Sequence, residues 1–536
     1  MISFNRLNAL IACYKQTLIP GLITCFRRHS LIFYTSLQFK MQLKRYSTII
    51  SCVLLSAILA FSFLTNLGLV PIRVWDEGRV VTNALNMFLN GDWIVTHYDG
   101  KPDMWNTKPP LLICLQAVSM HLFGVSEWSV RFPSAMASIF TGLALWFFCW
   151  KYFKDHWLGF LAACVFATTF AYVFNHAGRT GDYDALLTLF TTLYCLSFYL
   201  YCRSMNDKWL LYFFILLTLA VLTKGVAGLF MGPALFIYSV IRRRTLSLLK
   251  NKWFYAGLAF FLFISVGYYL LRDHFNPGYI KAVLDGELGS FPKTLNNHNH
   301  PFRWYFTNII DWRYSYWFWF VLPAYILGFI NPSEKVRSLS LFNCIVVIIY
   351  LLILSASHTK LYWYDLPIYP FLALQIGLML HIIWLMVQKT LRLSLTMQKV
   401  IVAFILFSFF FVIPFKKIYH YNKHVSTDWP WDLDVADRDQ ALFIQQAIRN
   451  HQNLNNYTFC YNACERCHAQ IDFYVTLLQS KNVHVTFKDN VDSLKVGECV
   501  VVSQLEMKKK LESSYLVKKL KDENGCSVYQ IVERSL

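Results

Sequence analysis

The sequence predicts an all-α polytopic membrane protein, with about 11–13 transmembrane helices and a small α/β extramembrane domain at the C-terminal end. Three observations carry this. The 536 residues are 56% hydrophobic and only 15% charged, where a soluble chain carries about a quarter charged residues. The deficit is uneven, since residues up to 416 are apolar runs broken by short charged loops and 417–536 read as ordinary soluble protein. The basic residues collect in alternate loops, which is how membrane helices are oriented.

Residues 1–40 read as an N-terminal extension, because Met41, Lys44 and Arg45 precede a long apolar run as a membrane protein's own start would. A spanning helix needs about 20 mostly apolar residues. Runs of that kind cover roughly 48–70, 130–150, 157–176, 184–202, 209–223, 228–241, 254–271, 313–330, 341–356, 363–388 and 398–415. The fifth and sixth are short, and Gly225, Gly228, Gly232 and Pro233 mark them as broken or re-entrant. The segment 109–124 is apolar but short and Pro-led, which suits a helix lying along the membrane surface. In the tail, Ala441–Arg449 and Ile471–Leu478 read as helices. Tyr457–Cys460, His484–Phe487, Glu498–Val502 and Ser527–Val532 read as strands. The domains are therefore 1–40, 41–416 and 417–536.

A formal net charge of +19 raises nucleic acid as a partner. The placement of the charges excludes it. Lys151 and Lys154, Arg203 and Lys208, Arg242–Arg244 with Lys250 and Lys252, Lys335 and Arg337, and Lys389, Arg392 and Lys399 all fall on one side of the predicted bundle. There they orient helices and meet membrane lipids. That side is cytoplasmic by the positive-inside rule. The other side, away from the cytoplasm, receives 71–129, 177–183, 224–227, 272–312, 357–362 and the tail. Cys52, Cys114, Cys149, Cys164, Cys195 and Cys344 lie in apolar runs as small hydrophobes. Cys464-Glu465-Arg466-Cys467-His468 matches a haem-attachment pattern, but no cytochrome-like helix surrounds it. Pairing within Cys460, Cys464, Cys467, Cys499 and Cys526 is the better reading in an oxidising compartment.

The chemistry gathers on the outer loops. Trp75-Asp76-Glu77-Gly78-Arg79 places two carboxylates at a membrane edge, costly unless used or paired; Arg73 and Arg79 offer the structural alternative. Asn90-Gly91-Asp92-Trp93, Asn106-Thr107-Lys108-Pro109-Pro110, Leu122-Phe123-Gly124-Val125-Ser126-Glu127-Trp128 and Arg131-Phe132-Pro133-Ser134 follow. This string resembles the first outer loop of the GT-C class of membrane glycosyltransferases. Within the class it is similar to the bacterial branch that holds the aminoarabinose transferase of lipid A and relatives of the dolichyl-phosphate-mannose protein mannosyltransferases. Four further pieces extend the resemblance: Arg179-Thr180-Gly181-Asp182-Tyr183-Asp184, Leu222-Thr223-Lys224-Gly225, His298-Asn299-His300-Pro301-Phe302-Arg303-Trp304-Tyr305, and Ser357-His358-Thr359-Lys360-Leu361-Tyr362-Trp363-Tyr364 with Pro367 and Pro370. Val226 stands where the family usually has proline. The resemblance covers roughly 48–415.

The resemblance implies a donor of the polyprenyl-phosphate sugar type, with a lipid, glycan or protein acceptor, and inverting transfer. Breaking that bond builds positive charge on the sugar and negative charge on the departing phosphate. It assigns Asp76 to the acceptor side, Glu77 to its support and Asp184 to the second acid, with Asp182 a competitor. Asp184 is also favoured simply as an acid at a helix N-terminus. Lys108, Arg179, Lys224 and Lys360 suit a lipid phosphate, Lys108 and Lys360 first; snorkelling to head groups is the plain alternative. His298, His300, Tyr305 and Tyr364 complete the substrate-contacting set. His298 and His300 with Glu287 form a weak donor set for a divalent cation, and no metal ligand or other cofactor is assigned. A transporter or flippase of lipid-linked sugars is the alternative function. It would show repeated halves and midplane binding residues, and neither is visible.

Overall fold

The computed structural model describes residues 42, 45–174, 176–288, 298–424, 435–461 and 468–534. The extension at 1–40 and the cysteines Cys464 and Cys467 lie outside these. Eleven apolar runs were expected to span, and each contains a helix. Among the described residues, eight helices are long and apolar enough to cross a membrane. We label the elements α1 (Arg45–Leu64), α2 (Asp76–Asn90), α3 (Leu111–Phe123), α4 (Glu127–Tyr152) and α5 (His156–Ala167), followed by α6 (Asp184–Ser204), α7 (Asp207–Lys224), α8 (Gly232–Ile241) and α9 (Lys252–Phe275). Then come α10 (Ser315–Phe329), α11 (Glu334–Ala356), α12 (Tyr369–Thr390, led in by a tight turn from Tyr362) and α13 (Thr396–Lys423).

Three of the expected spans, 157–176, 228–241 and 313–330, hold helices shorter than read, for local reasons. α5 ends because Thr168 and Thr169 donate their hydroxyls back to the carbonyls of Cys164 and Val165, at 2.8 and 2.9 Å. Such back-bonding loosens the helix where Thr repeats. α7 gives way at Gly225, whose φ of +56° only glycine adopts cheaply, and the chain re-enters as α8 after a tight turn. α10 is 15 residues long and contains Pro323. The segment expected on the membrane surface is α3. It packs between α2 and α4 and buries Leu112, Ile113, Gln116 and Met120.

The loops that charge assigned to one side do meet at one end of the bundle. Glu334 pairs with Arg203 and Arg242. Lys335 donates to the carbonyl of Tyr152 at 3.4 Å. Asn251 reaches Asp207 at 2.6 Å, and His381 reaches Asp155 at 3.3 Å. The acid-bearing loops meet at the other end.

The tail forms a five-stranded sheet. We label β1 (Tyr457–Cys460), β2 (Val485–Lys488), β3 (Cys499–Val502), β4 (Tyr515–Glu523) and β5 (Cys526–Arg534), in spatial order β2-β1-β3-β5-β4. β1 runs parallel to β2 and β3, while β5 is antiparallel to β3 and β4. Helices α14 (Val435–Arg449) and α15 (Ala469–Gln479) match the two that were read, while the helix Leu505–Ser514 and strand β4 were not anticipated. The cysteine expectation needs correcting: Cys460, Cys499 and Cys526 are free thiols. Cys460 and Cys526 point into the tail core as small apolar side chains.

The tail does not stand alone. Ile72, Val80, Val81 and Ala84 share one apolar core with Phe443, Ile444, Phe459 and Tyr474. A Cβ on Gly78 would sit 2.6 Å from the backbone nitrogen of Gln470. Tyr474 accepts from the Ile72 backbone N–H at 3.1 Å and donates to Glu127 at 2.7 Å. The tail is therefore braced against α2, the helix whose first residues are Asp76 and Glu77.

Candidate active site

The site begins at the first turn of α2. The two adjacent acids face different environments. Glu77 is buried, and Arg131 of α4 grips it at 2.7 and 2.8 Å. Glu77 also accepts from the backbone N–H groups of Arg73 (2.9 Å) and Gly181 (2.8 Å). Burial pushes its carboxyl pKa up, but Arg131 outweighs that and holds it below the usual range. Every lone pair is committed, so Glu77 ties three loops together and supports its neighbour. Asp76 is 40% exposed and opens onto the space between the loops. Trp75 before it has a φ of +65°, a strained conformation for a bulky residue of the sort found where function fixes the backbone.

Facing Asp76 is a residue the sequence reading passed over. The imidazole Nδ1 of His176 lies 3.5 Å from Asp182 and 3.9 Å from Asp76. Its ring stacks on Trp363, with centroids 3.5 Å apart and an interplanar angle of 12°, and its φ is +57°. Burial pushes the His176 pKa down, but the carboxylates of Asp182 and Asp76 outweigh it and hold it above the ordinary value. Burial likewise raises Asp182, and His176 brings it back below the usual range. The only sequence signal was a histidine three residues ahead of the Arg179–Asp184 motif.

Two lysine–acid pairs complete this group. Lys224 donates to Asp184 at 2.5 Å, with its ammonium 5.0 Å from the ring centre of Tyr364. Lys108 donates to Glu287 at 2.8 Å, and Thr107 donates to the same oxygen at 2.6 Å. Burial disfavours the charged Lys108, but Glu287, Asp76 and Asp184 together keep its pKa above the ordinary value. Lys108 and Tyr364 are each within electrostatic reach of Asp76, Asp184 and Glu287. The structure thus brings Asp76, Lys108, Asp182, Asp184, Lys224 and Tyr364 into one group.

Lys360, His298 and His300 form a second group. The Lys360 backbone N–H donates to the His298 carbonyl at 3.0 Å, and Asn299 pairs with Thr359 as an isolated antiparallel bridge. The Lys360 ammonium is turned onto the Ser357 carbonyl. His300 stacks on Trp304 at 4.4 Å. Burial, His298 and Lys360 all depress its pKa.

Two expected site residues are used elsewhere. Arg179 is buried and donates to the carbonyls of Ser62 (3.1 Å) and Thr65 (2.6 Å), capping the end of α1. A cation there satisfies orphan carbonyls and the helix dipole, and it leaves no fork for a phosphate. Tyr305 is buried with its hydroxyl on the Leu361 carbonyl at 3.0 Å, which orders the loop behind Lys360. Glu287, considered with His298 and His300 for a cation, is held by Lys108 and Thr107. Among the described residues, no cluster of three histidine, cysteine or acidic side chains is placed to hold a metal ion.

Comparison with known proteins bears on the family and the fold. Residues 107–269 match the family model described as dolichyl-phosphate-mannose-protein mannosyltransferase. An uncharacterized protein of Aquifex aeolicus is 27% identical over 319 residues, 58% of this chain and 60% of that one. The undecaprenyl phosphate-alpha-4-amino-4-deoxy-L-arabinose arabinosyl transferase of Aeromonas hydrophila is 24% identical over 342 residues, 59% of this chain and 57% of that one. The chain thus spans less than two thirds of the length of these relatives. The crystal structure of ArnT from Cupriavidus metallidurans bound to undecaprenyl phosphate superposes with a TM-score of 0.63 at 16% identity, covering 89% of this chain and 97% of that one. Archaeal oligosaccharyltransferase AglB from Archaeoglobus fulgidus gives 0.54 at 11% identity, covering 91% and 74%. The fold is of the GT-C type, and the resemblance drawn from the motifs holds.

Proposed function

We propose that this GT-C chain transfers a monosaccharide from a polyprenyl-phosphate donor to a lipid, glycan or protein acceptor, at the outer face of a bacterial inner membrane. The observation that carries the reading is the single group of alternating acids and cations at one end of the helix bundle. Undecaprenyl phosphate bound to a structural relative supports the lipid-phosphate donor.

Each residue has a part in an inverting displacement. Asp76, the exposed acid, faces the acceptor. It takes the proton of an acceptor hydroxyl, or orients an acceptor phosphate that is already ionised. Lys108 receives the donor phosphate by exchanging Glu287 for it, and Lys360 approaches from the second group. Both offset charge as the lipid phosphate departs. Asp184, held by Lys224, stabilises positive charge on the sugar ring. Asp182 and His176 fix Asp76 from behind.

The test is transfer by the purified full chain in liposomes, with a labelled polyprenyl-phosphate sugar and an extract of cell-envelope lipids and proteins. Wild type should label an acceptor. Asp76→Asn should still bind donor and lose turnover by about a hundredfold, the scale of a lost general base. A monodisperse Asp76→Asn protein with near-normal transfer would remove Asp76 from the chemistry. Movement of the intact donor across the bilayer without transfer would make the protein a flippase instead.

A further inference from the structure

A set of buried polar side chains beside the site plays no part in the transfer chemistry described so far. Asp76, Arg79 and Asn83 fall at i, i+3 and i+7 of α2 and so share one face of that helix. Arg79 grips Asp103 at 2.7 and 2.9 Å, and Asn83 donates to the same carboxylate at 3.0 Å. Asp103 in turn accepts from the backbone N–H groups of Trp105 (3.0 Å) and Asn106 (3.3 Å). The bend before Lys108 is thereby pinned to the α2 face that carries Asp76.

Asn106 extends this frame in two directions. It is buried, and its amide nitrogen donates to Asn83 Oδ1 at 2.7 Å. The Tyr183 hydroxyl lies 3.0 Å from that nitrogen and 3.2 Å from the amide oxygen. The same oxygen accepts from the Lys108 backbone N–H at 3.4 Å. Tyr183 stands between Asp182 and Asp184, at the cap of α6. One side chain therefore joins α2, the Lys108 loop and the start of α6, the three segments that hold Asp76, Lys108 and Asp184. Asn83, Asp103, Asn106 and Tyr183 are all buried, and buried polar groups are costly unless each is bonded. A buried network with its bonds made rigidifies what it joins and specifies one arrangement.

We propose that Asn106 is a positioning residue for transfer: through Tyr183 and Asn83 it sets where the Lys108 ammonium stands relative to Asp76 and Asp184. The inference rests on the transfer reading above. A phosphate on a flexible lipid follows the Lys108 charge wherever the loop carries it, so donor capture tolerates a shift. Transfer does not, because the sugar must lie between Asp184 and an acceptor at Asp76. A displacement of about 1 Å costs up to about 100-fold in rate.

Steady-state transfer by the full chain in liposomes, normalised to monodisperse protein, separates positioning from plain support of the fold. Asn106→Ala should lower kcat about 10- to 100-fold and leave the donor KM as in wild type, since the Lys108 charge remains. Tyr183→Phe removes one hydroxyl, keeps the ring and should show the same split. The double variant should be no slower than Asn106→Ala alone, because both changes break one connection. Lys108→Gln is the contrast, with the donor KM raised. If Asn106→Ala does not stay monodisperse, Tyr183→Phe decides by the same split. Wild-type kcat in the variants overturns the proposal. So does a double variant whose losses multiply, or a donor KM raised as in Lys108→Gln. Those results leave the transfer reading standing as long as wild type transfers and Asp76→Asn does not. A wild type that transfers no sugar refutes that reading and this inference with it.

Discussion

Replacing Glu77 with glutamine separates the two adjacent acids of α2. Glu77 accepts four hydrogen bonds, two from Arg131 and one each from the backbones of Arg73 and Gly181. Glutamine turns an acceptor into a donor facing donors and leaves the Arg131 guanidinium buried without its counter-charge. Breaking one partner of a buried pair costs about 3–5 kcal/mol. Asp76 is 40% exposed, so Asp76→Asn should shift stability by only about 0.5 kcal/mol, as for other open positions. Size-exclusion chromatography after graded heating reads the difference: Glu77→Gln should aggregate well below wild type, and Asp76→Asn alongside it. The double variant Glu77→Gln/Arg131→Met removes both charges and should recover part of the loss, since an absent pair costs less than half a pair, but not all of it, because Arg131 also donates to the buried carbonyls of Leu67, Val70 and Pro71. The pH dependence has a definite sign. The folded Glu77 pKa lies below its ordinary value, so its contribution is present above the ordinary carboxyl pKa and fades as pH falls through the lowered one. Wild type and Glu77→Gln should therefore converge in acid. A Glu77→Gln protein as heat-stable as wild type but inactive would refute the reasoning and move the chemistry from Asp76 to Glu77.

His176→Phe keeps the stack on Trp363 and deletes the charge between Asp76 and Asp182. Turnover should fall about tenfold with little change in donor binding, within the range of a displaced catalytic group. The His176 pKa is raised in the fold, so its charge is full below the ordinary histidine value and is lost as pH rises through the raised one. Wild-type kcat should carry an alkaline limb that His176→Phe lacks, and an unchanged profile would count against the role. Lys108→Gln removes the charge-assisted contact proposed for the donor phosphate and should raise the donor KM about 10- to 100-fold, read by titrating donor in the liposome assay. Gly78→Ala drives a methyl group into the backbone at Ala469–Gln470. It should cost about 1–3 kcal/mol as overpacking and expose the tail to limited proteolysis at lower temperature.

Much of the fold was legible because lipid imposes a simple rule. Apolar runs had to be helices, and clustered lysines had to mark one end. Helix ends were harder to read, since composition does not show where Thr168 and Thr169 turn their hydroxyls onto the backbone or where Gly225 takes a positive φ. The candidate site was legible as motifs but not as pairs. Lys224 and Asp184 are 40 residues apart and Lys108 and Glu287 are 179 apart, and only the packing of antiparallel helices makes them neighbours. His176 stayed hidden for the same reason, because its partners come from three separate loops. Arg179 was misleading in the opposite way. It stands in an active-looking motif, but the open carbonyls at the end of α1 claim its charge first.

Those pairings bear on how donor binding would trigger transfer. In the group around Asp76 each lysine is already committed to an acid, Lys108 to Glu287 and Lys224 to Asp184. A lipid phosphate reaching Lys108 must displace Glu287, and the carboxylate released then sits among Asp76, Asp182 and Asp184 with one cation fewer. Concentrated negative charge of that kind favours a proton on the nearest base or positive charge on a sugar ring, the two things transfer requires. Among the described residues, neither Asp76 nor Asp182 has a lysine or an arginine bound to it, and of the two only Asp76 opens to an acceptor, with 40% of its side chain exposed against 4% for Asp182. The donor would thus prepare its own acceptor side through Glu287. Glu287→Gln, which weakens the hold on Lys108 without adding charge when displaced, should tighten donor binding and slow turnover; faster turnover in that variant would break this link.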